Sequence, residues 1–271
     1  MENLLLPSKV EFVQGDNPNQ GSLVVSPCFY GYGTTLGNTL RRVLLSSLPG
    51  AAVEAVKIKG VQHEFSSAEG LKEDVVDIIL NLKQLAVRVF TDEPVTLHIS
   101  KKGPGVVTGA DIEANASVEV MNPELVLATL TSNKPFEMDL VVGRGRGFKP
   151  VEEKDKKQYD LGTIVIDSIY TPIKDVGYDV EYTRVGDITN YEKLTLHIQT
   201  NGTISPGEAV RQTTQIIMDH FSIIADAANQ IVEESPMMKK AEAVEESEAE
   251  ADETEESEDK PKKAKKASKK K

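Results

Sequence analysis

The chain has 271 residues, 39% of them hydrophobic, so it is long enough for one large domain or two of ordinary size. No apolar run approaches the roughly 18–20 residues that a membrane-spanning helix needs, and the first residues lack the basic flank of a secretory signal. The single cysteine, Cys28, excludes an intrachain disulfide and a zinc site built from several cysteines. These features predict a cytoplasmic protein without a membrane segment.

The charge is unevenly distributed along the chain. The formal net charge is −12, and the segment from residue 242 onward, with 11 Asp/Glu and 8 Lys, contributes −3, which leaves −9 for residues 1–241. A body this acidic repels phosphate chains. We therefore expect protein partners, with DNA reached only indirectly, although the lysine-rich end alone would suggest a DNA-binding protein.

Strands outnumber helices in the pattern of apolar residues. Alternation with a period of two predicts strands at residues 53–59, 95–99, 118–120, 163–167 and 194–198. Helical periodicity begins near Thr34, Leu71 and Ser205, and the second of these helices has one apolar stripe typical of a core helix. Because strands and helices do not alternate regularly, the pattern predicts an α+β fold.

The first helix has a single apolar stripe, and it ends at Pro49-Gly50. The residues of this stripe are Leu36, Leu40, Val43, Leu44 and Leu48. Arg42 and Leu45 fall on the opposite side of the helix. Arg42 is either a solvated surface arginine or, together with an exposed Leu45, part of a contact patch, since arginine and apolar anchors are enriched where partners dock.

The last helix is apolar around an unusually wide arc. It opens with Ser205-Pro206-Gly207-Glu208, a capping-box pattern, and is predicted to run to about Glu233. Its apolar band consists of Val210, Thr213, Ile217, Phe221, Ile224, Ala228 and Ile231, with further apolar residues on both sides. The apolar arc is about twice the 100° of a surface helix. The helix is therefore either buried centrally in one domain or, as the simpler account, used in symmetric self-association.

The C-terminal segment 234–271 is rich in Glu, Ser and Ala and then in Lys, with no aromatic residue. It cannot bury enough apolar surface to offset the entropy of ordering, so we expect a disordered acidic and basic tail.

No pattern of catalytic or metal-binding residues occurs in the sequence. The four histidines are scattered, and there is no paired-cysteine, HExxH, GxSxG or Walker-type sequence. The segment GRGRGF at residues 143–148 has two interpretations, a nucleic-acid box or a tight turn at the end of a strand. We expect no catalytic residue, no metal site and no cofactor in this chain.

The segment GTTLGNTLRRVLLSSLPG at residues 33–50 closely resembles the signature of bacterial RNA polymerase alpha subunits, GxTLGNxLRRxLLSSxPG. Further matches follow in the same order at residues 60–66, 69–75, 80–83, 143–148, 170–173, 180–181, 183–185 and 200–204. The resemblance covers about 230 residues.

The resemblance implies a homodimeric, non-catalytic subunit of DNA-directed RNA polymerase, a nucleotidyltransferase, on which the beta and beta-prime subunits assemble. It implies a dimerisation domain at residues 1–50 plus 176–233 with a mostly β domain, residues 51–175, inserted into it. The first and last helices would form the homodimer interface, for which we expect Leu36, Leu40, Leu44, Ile217, Phe221, Ile224 and Ala228.

The same resemblance implies contact residues for the two large subunits. The second arginine of the Arg-Arg pair docks beta in the family, which gives Arg42, with Leu45 beside it. Arg184 and Lys193 lie in the segment that resembles the part facing beta-prime.

The chain departs from the family at two places. Thr34 stands where many members have histidine, and the C-terminal DNA-binding domain of typical members has no counterpart in the tail sequence. Two other functions remain open from the residues alone: a nucleic-acid-associated protein using its lysine-rich end, against which the acidic body speaks, and a free-standing enzyme, against which the lack of catalytic residues speaks.

Overall fold

The structure is a computed structural model that describes residues 5–155, 159–186 and 188–233. It is of the α+β class, with mostly strands and a few helices, as predicted. The chain divides into two compact units, residues up to Ile216 and residues from Ile217 onward, and the boundary falls inside the last helix. The predicted tail at residues 234–271 lies outside the described residues.

A four-stranded antiparallel sheet joins the two ends of the first unit. In the order in which they pair, its strands are β1 (Lys9–Gln14), β2 (Gln20–Cys28), β14 (Ile188–Thr200) and β13 (Ile173–Val185). Helix α1 (Tyr32–Ser46) packs on β13 and β14, and helix α3 (Pro206–Glu233) follows β14. Apolar residues of β2, α1, β13, β14 and the start of α3 form one buried cluster, the sheet–helix core.

Residues between α1 and β13 form most of the remaining structure. A second antiparallel sheet has the order β11 (Ile164–Val165), β3 (Pro49–Ile58), β9 (Phe136–Arg146) and β5 (Val95–Lys101). Three two-stranded pairs accompany it: β4 (Val87–Val89) with β7 (Val118–Val120), β6 (Gly105–Thr108) with β8 (Val126–Leu130), and β10 (Phe148–Lys149) with β12 (Ser168–Ile169). Helix α2 (Val75–Leu82) and short 3₁₀ helices at Gly109–Asp111 and Val151–Glu153 complete this part. Its buried residues, from Val53 to Ile166, form a separate central core.

The predicted start of α2 near Leu71 is wrong by about one turn. Leu71 forms an isolated β-bridge with Leu130, and the Glu73 carboxylate accepts hydrogen bonds from the backbone N–H and the hydroxyl of Thr129, both at 2.7 Å. These contacts hold the segment extended along β8, so the helix begins only after Asp74, whose backbone is also extended.

The alternation predicted for residues 194–198 is confirmed and extends along β14. Leu194, Leu196 and Ile198 are buried in the sheet–helix core, while Thr195 and His197 lie on the other face of the sheet. Because successive side chains of a strand point to opposite faces, the same alternation places Glu192 on the buried face and Lys193 on the opposite one.

Candidate functional site

Helix α1 approaches its sheet closely because two glycines face β13 and β14. A Cβ atom at Gly37 would lie 2.7 Å from Cδ2 of Tyr178 and 2.9 Å from Cδ1 of Leu194. A Cβ atom at Gly33 would lie 2.7 Å from Oε2 of Glu192. Atoms this close cannot coexist without a shift, so the glycines permit the observed distance between the helix and the sheet.

The glycines also set the rotation of α1 and correct part of the sequence prediction. At about 100° per residue, Gly33, Gly37 and Leu44 fall within about 40° of one another, and this is the face that lies against the sheet. The predicted apolar stripe was drawn from apolar side chains alone and left out the two glycines. Its centre was therefore rotated toward Leu36, away from the face that is buried. Leu44 is fully buried in the sheet–helix core, so its assignment to a homodimer interface is wrong.

Leu45 was expected to be exposed, but it is half-buried and packs at the edge of the sheet–helix core. Its direction is about 100° from the middle of the buried face, which places it at the rim of the helix contact. Leu36 and Leu40 are also half-buried against this core, and each keeps some accessible surface. These three leucines can thus contact a partner only through their outer edges.

The two arginines in the middle of α1 have different environments. Nε of Arg41 donates a hydrogen bond to the backbone oxygen of Val176 at 2.9 Å, which ties the helix to β13. Arg42 points about 160° away from the buried face and is exposed. Within the described part of the chain, its guanidinium has no ion pair or hydrogen bond. Arg42, unlike Arg41, therefore has its five donors available to a partner.

The N-terminus of α1 is capped by a residue from a distant strand. The helix begins after Gly31, which has φ 82° and carries no capping side chain. The backbone N–H groups of Gly31 and Gly33 instead donate to Oε1 and Oε2 of Glu192, at 3.0 and 2.9 Å. Glu192 is only 6% exposed. A carboxylate at a helix N-terminus satisfies orphan amides and interacts favourably with the helix dipole.

Sequence reasoning missed Glu192 as the cap of this helix. A helix start near Thr34 would suggest a threonine cap, but the N-cap residue is Gly31. The only signal in the sequence is the parity of β14, since Glu192 lies two residues before Leu194 on the buried phase of the strand. A charged residue at a buried position of a strand indicates a specific partner, because burying an unpaired charge is costly. Nothing in the sequence identifies that partner as α1.

The first turn of α3 is capped as expected, but only half of the predicted capping box is formed. The hydroxyl of Ser205 accepts a hydrogen bond from the backbone N–H of Glu208 at 3.2 Å. The carboxylate of Glu208 accepts hydrogen bonds from Arg211 and Gln212 rather than reaching back to the cap. The hydrogen bond from the Arg211 guanidinium is the main cause that lowers the pKa of Glu208 to about 2.

From Ile217 onward, α3 presents a broad apolar surface to solvent. Phe221 and Ile224 are 61% and 62% exposed, Ala228 is exposed, and Ile217 is half-buried. Further exposed apolar residues in this stretch are Met218, Ile223 and Ile231. The alternative that α3 is buried centrally in one domain is wrong for this stretch of the single chain. An apolar surface of this kind marks a contact site.

Lys193 and Arg184 lie on the hairpin formed by β13 and β14. Lys193 lies on the face of the sheet opposite to α1 and pairs with Glu181 at 3.0 Å. Arg184 is exposed near the turn, where its Nε donates to the backbone oxygen of Gly186 at 2.6 Å. Lys193 thus lies on the opposite side of the sheet from the surface that carries Arg42.

The segment GRGRGF forms a strand end and a turn, as one of its two interpretations predicts. Strand β9 ends at Arg146, and Gly147 has φ 63° before β10 begins. The other two glycines face inward, where a Cβ at Gly143 would meet the Glu54 carboxylate at 2.4 Å and one at Gly145 would meet the Tyr170 ring at 2.8 Å. A side chain at either position would therefore force a neighbouring side chain to shift.

Among the described residues, no helix is long and apolar enough to cross a membrane.

Comparison with known proteins identifies the family. Residues 56–171 match the family model described as the RNA polymerase Rpb3/RpoA insert domain. The DNA-directed RNA polymerase subunit alpha of Oceanobacillus iheyensis is 48% identical over 235 residues, which cover 86% of this chain and 75% of that protein. The chain therefore belongs to the family of DNA-directed RNA polymerase alpha subunits, and it is a polymerase subunit that takes part in transcription.

Proposed function

We propose that two copies of this chain form a homodimeric scaffold on which the beta and beta-prime subunits assemble. The observation that carries the proposal is the exposed apolar surface of α3 from Ile217 onward, because a single chain leaves it uncovered. A second copy covers it with an identical surface through a two-fold contact, the commonest symmetry of homo-oligomers. Ile217, Phe221, Ile224 and Ala228 are its proposed contacts, with the outer edges of Leu36 and Leu40 on α1.

The beta subunit is proposed to dock on the outer side of α1. Arg42 supports this because its guanidinium is exposed and unpaired within the described residues, while the neighbouring Arg41 is already bonded to Val176. Leu45 supplies the apolar rim beside it. An arginine with free donors next to an apolar edge is a typical centre of a protein–protein contact.

The beta-prime subunit is proposed to contact the β13–β14 hairpin at Arg184 and Lys193. Lys193 faces away from α1, so the two large subunits would approach opposite faces of the same sheet. The existing pair between Lys193 and Glu181 is exposed and therefore weak enough to rearrange on binding.

We also propose that this chain is a non-catalytic subunit. The nucleotidyl transfer is assigned to the partner subunits, with no catalytic residue and no cofactor here. DNA is reached only through the complex, in the cytoplasm. The domain division at residues 1–50 plus 176–233 and 51–175 belongs to the same proposal, which the presence of two separate cores supports.

Light scattering coupled to size exclusion tests the dimer. The wild-type chain is expected to elute with twice the mass of one copy, and Phe221→Lys to elute as a monomer or to aggregate. Ser222→Lys is the matched control, because Ser222 is an exposed neighbour on the polar arc of the same helix. A Phe221→Lys chain that remains dimeric would contradict the proposed interface.

Titration with the beta subunit tests the docking surface. Arg42→Ala is expected to remain a dimer and to bind beta at least tenfold more weakly, since truncating an arginine hot spot costs about 2 kcal/mol or more. Thr35→Ala, a change at another exposed position of α1, is the control. Equal affinity of Arg42→Ala and wild type for beta would remove Arg42 from the interface.

A further inference from the structure

We infer that Glu192 is the positioning residue of the beta-docking helix: it holds the N-terminus of α1 on the sheet and so sets where Arg42 and Leu45 are presented. The inference rests on the proposed function of α1. It assigns a role to a residue on a different element, more than 140 positions away in the chain from the docking residues.

Among the described residues, helix α1 has no side-chain cap of its own at its N-terminus. Its N-cap is Gly31, which has no side chain to accept the N–H groups of the first turn. Helices normally use Ser, Thr, Asp or Asn at this position. The two oxygens of Glu192 take over this role for Gly31 and Gly33, at 3.0 and 2.9 Å. A charged acceptor makes these hydrogen bonds stronger than those of a neutral cap.

Glu192 is itself held in place by strand pairing. Its backbone lies in the interior of the sheet, opposite Cys28 of β2 on one side and Tyr182 of β13 on the other. Its side chain is almost fully buried. The carboxylate is thus attached to a strand that is paired on both sides, and the helix N-terminus is bound to a rigid element.

The capped N-terminus and the docking residues lie on the same helix, α1. Arg42 lies ten residues after Tyr32, about 15 Å along the helix. Near that end, Arg41 binds the Val176 oxygen, and between the two ends Gly33 and Gly37 lie against the sheet. If the carboxylate releases the first turn, the helix can pivot about the Arg41 contact. The angle at which α1 presents Arg42 and Leu45 then changes.

Glu192→Gln tests this inference in the full-length dimer. Glutamine has nearly the same size but offers one oxygen and an N–H₂ group, so one of the two amides loses its acceptor. We expect hydrogen–deuterium exchange of a peptide covering residues 29–36 to rise about tenfold, the size of a lost cap. Peptides from β3 and β9 should exchange as in wild type. Affinity for the beta subunit should fall about threefold to tenfold.

Two further variants make the result specific. Gly33→Ala keeps the carboxylate but places a methyl group 2.7 Å from Oε2 of Glu192, so it should release the first turn in the same way. Glu137→Gln is the matched control, since it also replaces a strand carboxylate by an amide. The Glu137 carboxylate pairs with the Lys59 ammonium and caps no helix. It should leave both the exchange of residues 29–36 and the affinity for beta unchanged.

The outcomes separate this inference from the proposed function. If wild type binds beta, Arg42→Ala binds weakly, and both Glu192→Gln and Gly33→Ala bind like wild type, the positioning role is refuted and the docking surface stands. If wild type and Arg42→Ala do not differ in affinity, the docking surface is refuted, whatever the exchange shows. Faster exchange throughout every strand in both variants would also overturn the inference, because Glu192 would then be a residue of general stability.

Discussion

The close contact of α1 with its sheet predicts that adding a single methyl group at Gly37 destabilises the protein. In an exposed helix, Gly→Ala stabilises by about 1 kcal/mol, because alanine loses less backbone entropy. At Gly37 the new Cβ would lie 2.7 Å from Cδ2 and 2.9 Å from Cγ of Tyr178, and 2.9 Å from Cδ1 of the fully buried Leu194. Ordinary carbon contacts are about 3.5–4.0 Å, so the overlap is about 1 Å on two sides.

The overlap can be relieved in two ways, and both are costly. Tyr178 can rotate away from its preferred rotamer, or α1 can move outward from the sheet. Overpacking of this kind costs about 1–3 kcal/mol. After the helix-propensity gain is subtracted, we expect Gly37→Ala to lower the free energy of unfolding by about 1–2 kcal/mol.

Urea unfolding followed by far-ultraviolet circular dichroism measures this change, since the chain has no tryptophan to report on unfolding by fluorescence. The protein concentration must be held constant, because the proposed dimerisation would contribute to the apparent stability. Asn38→Ala, at the exposed neighbouring position, is the control and should be neutral or slightly stabilising. A Gly37→Ala chain that is more stable than wild type by about 1 kcal/mol would refute the reasoning, because Gly37 would then act only as a weak helix former.

Two further predictions concern buried and paired polar groups. The hydroxyl of Thr213 is fully buried, and among the described residues it has no hydrogen-bond partner, so Thr213→Val should raise the free energy of unfolding by about 1 kcal/mol in urea titrations. Thr214→Val should bring no such gain, because the exposed Thr214 hydroxyl donates to the Val210 oxygen at 2.9 Å. The hydrogen bond that Nδ1 of protonated His98 donates to the Asp139 carboxylate raises the pKa of His98 above its ordinary value of 6.5, with Glu113 and Glu137 adding to the effect. The stabilisation from this pair is therefore fully present below the unfolded pKa of His98 and is lost as the pH rises through its folded pKa. An NMR titration should give a midpoint above 6.5 for His98 and a lower one in Asp139→Asn, and equal midpoints would contradict the assignment.

Helical periodicity alone correctly predicts which residues lie on the exposed side of α1, but not those at the edge of its buried face. The sequence placed Arg42 on the side away from the core, and the structure agrees, because a rotation of the helix by less than a quarter turn leaves a residue on the far side exposed. The same rotation places Leu44 near the middle of the buried face and Leu45 at its rim. Residues near the boundary of a helical face are sensitive to this angle. The angle was set by Gly33 and Gly37, which a count of apolar side chains does not include.

Three features could be predicted from the sequence, because each follows from local periodicity and composition. They are the α+β class, the alternation of β14 and the wide apolar face of α3. The exposure of Phe221 and Ile224 in the single chain could not, since an apolar helix face has the same pattern whether its own domain or a second copy covers it. The partner of Glu192 could not be read either. Glu192 and Gly31 are 161 residues apart, and only the pairing of β2 with β14 brings the carboxylate to the start of α1. Periodicity determines which face of an element is buried, whereas the neighbour of that face depends on how distant segments pack together.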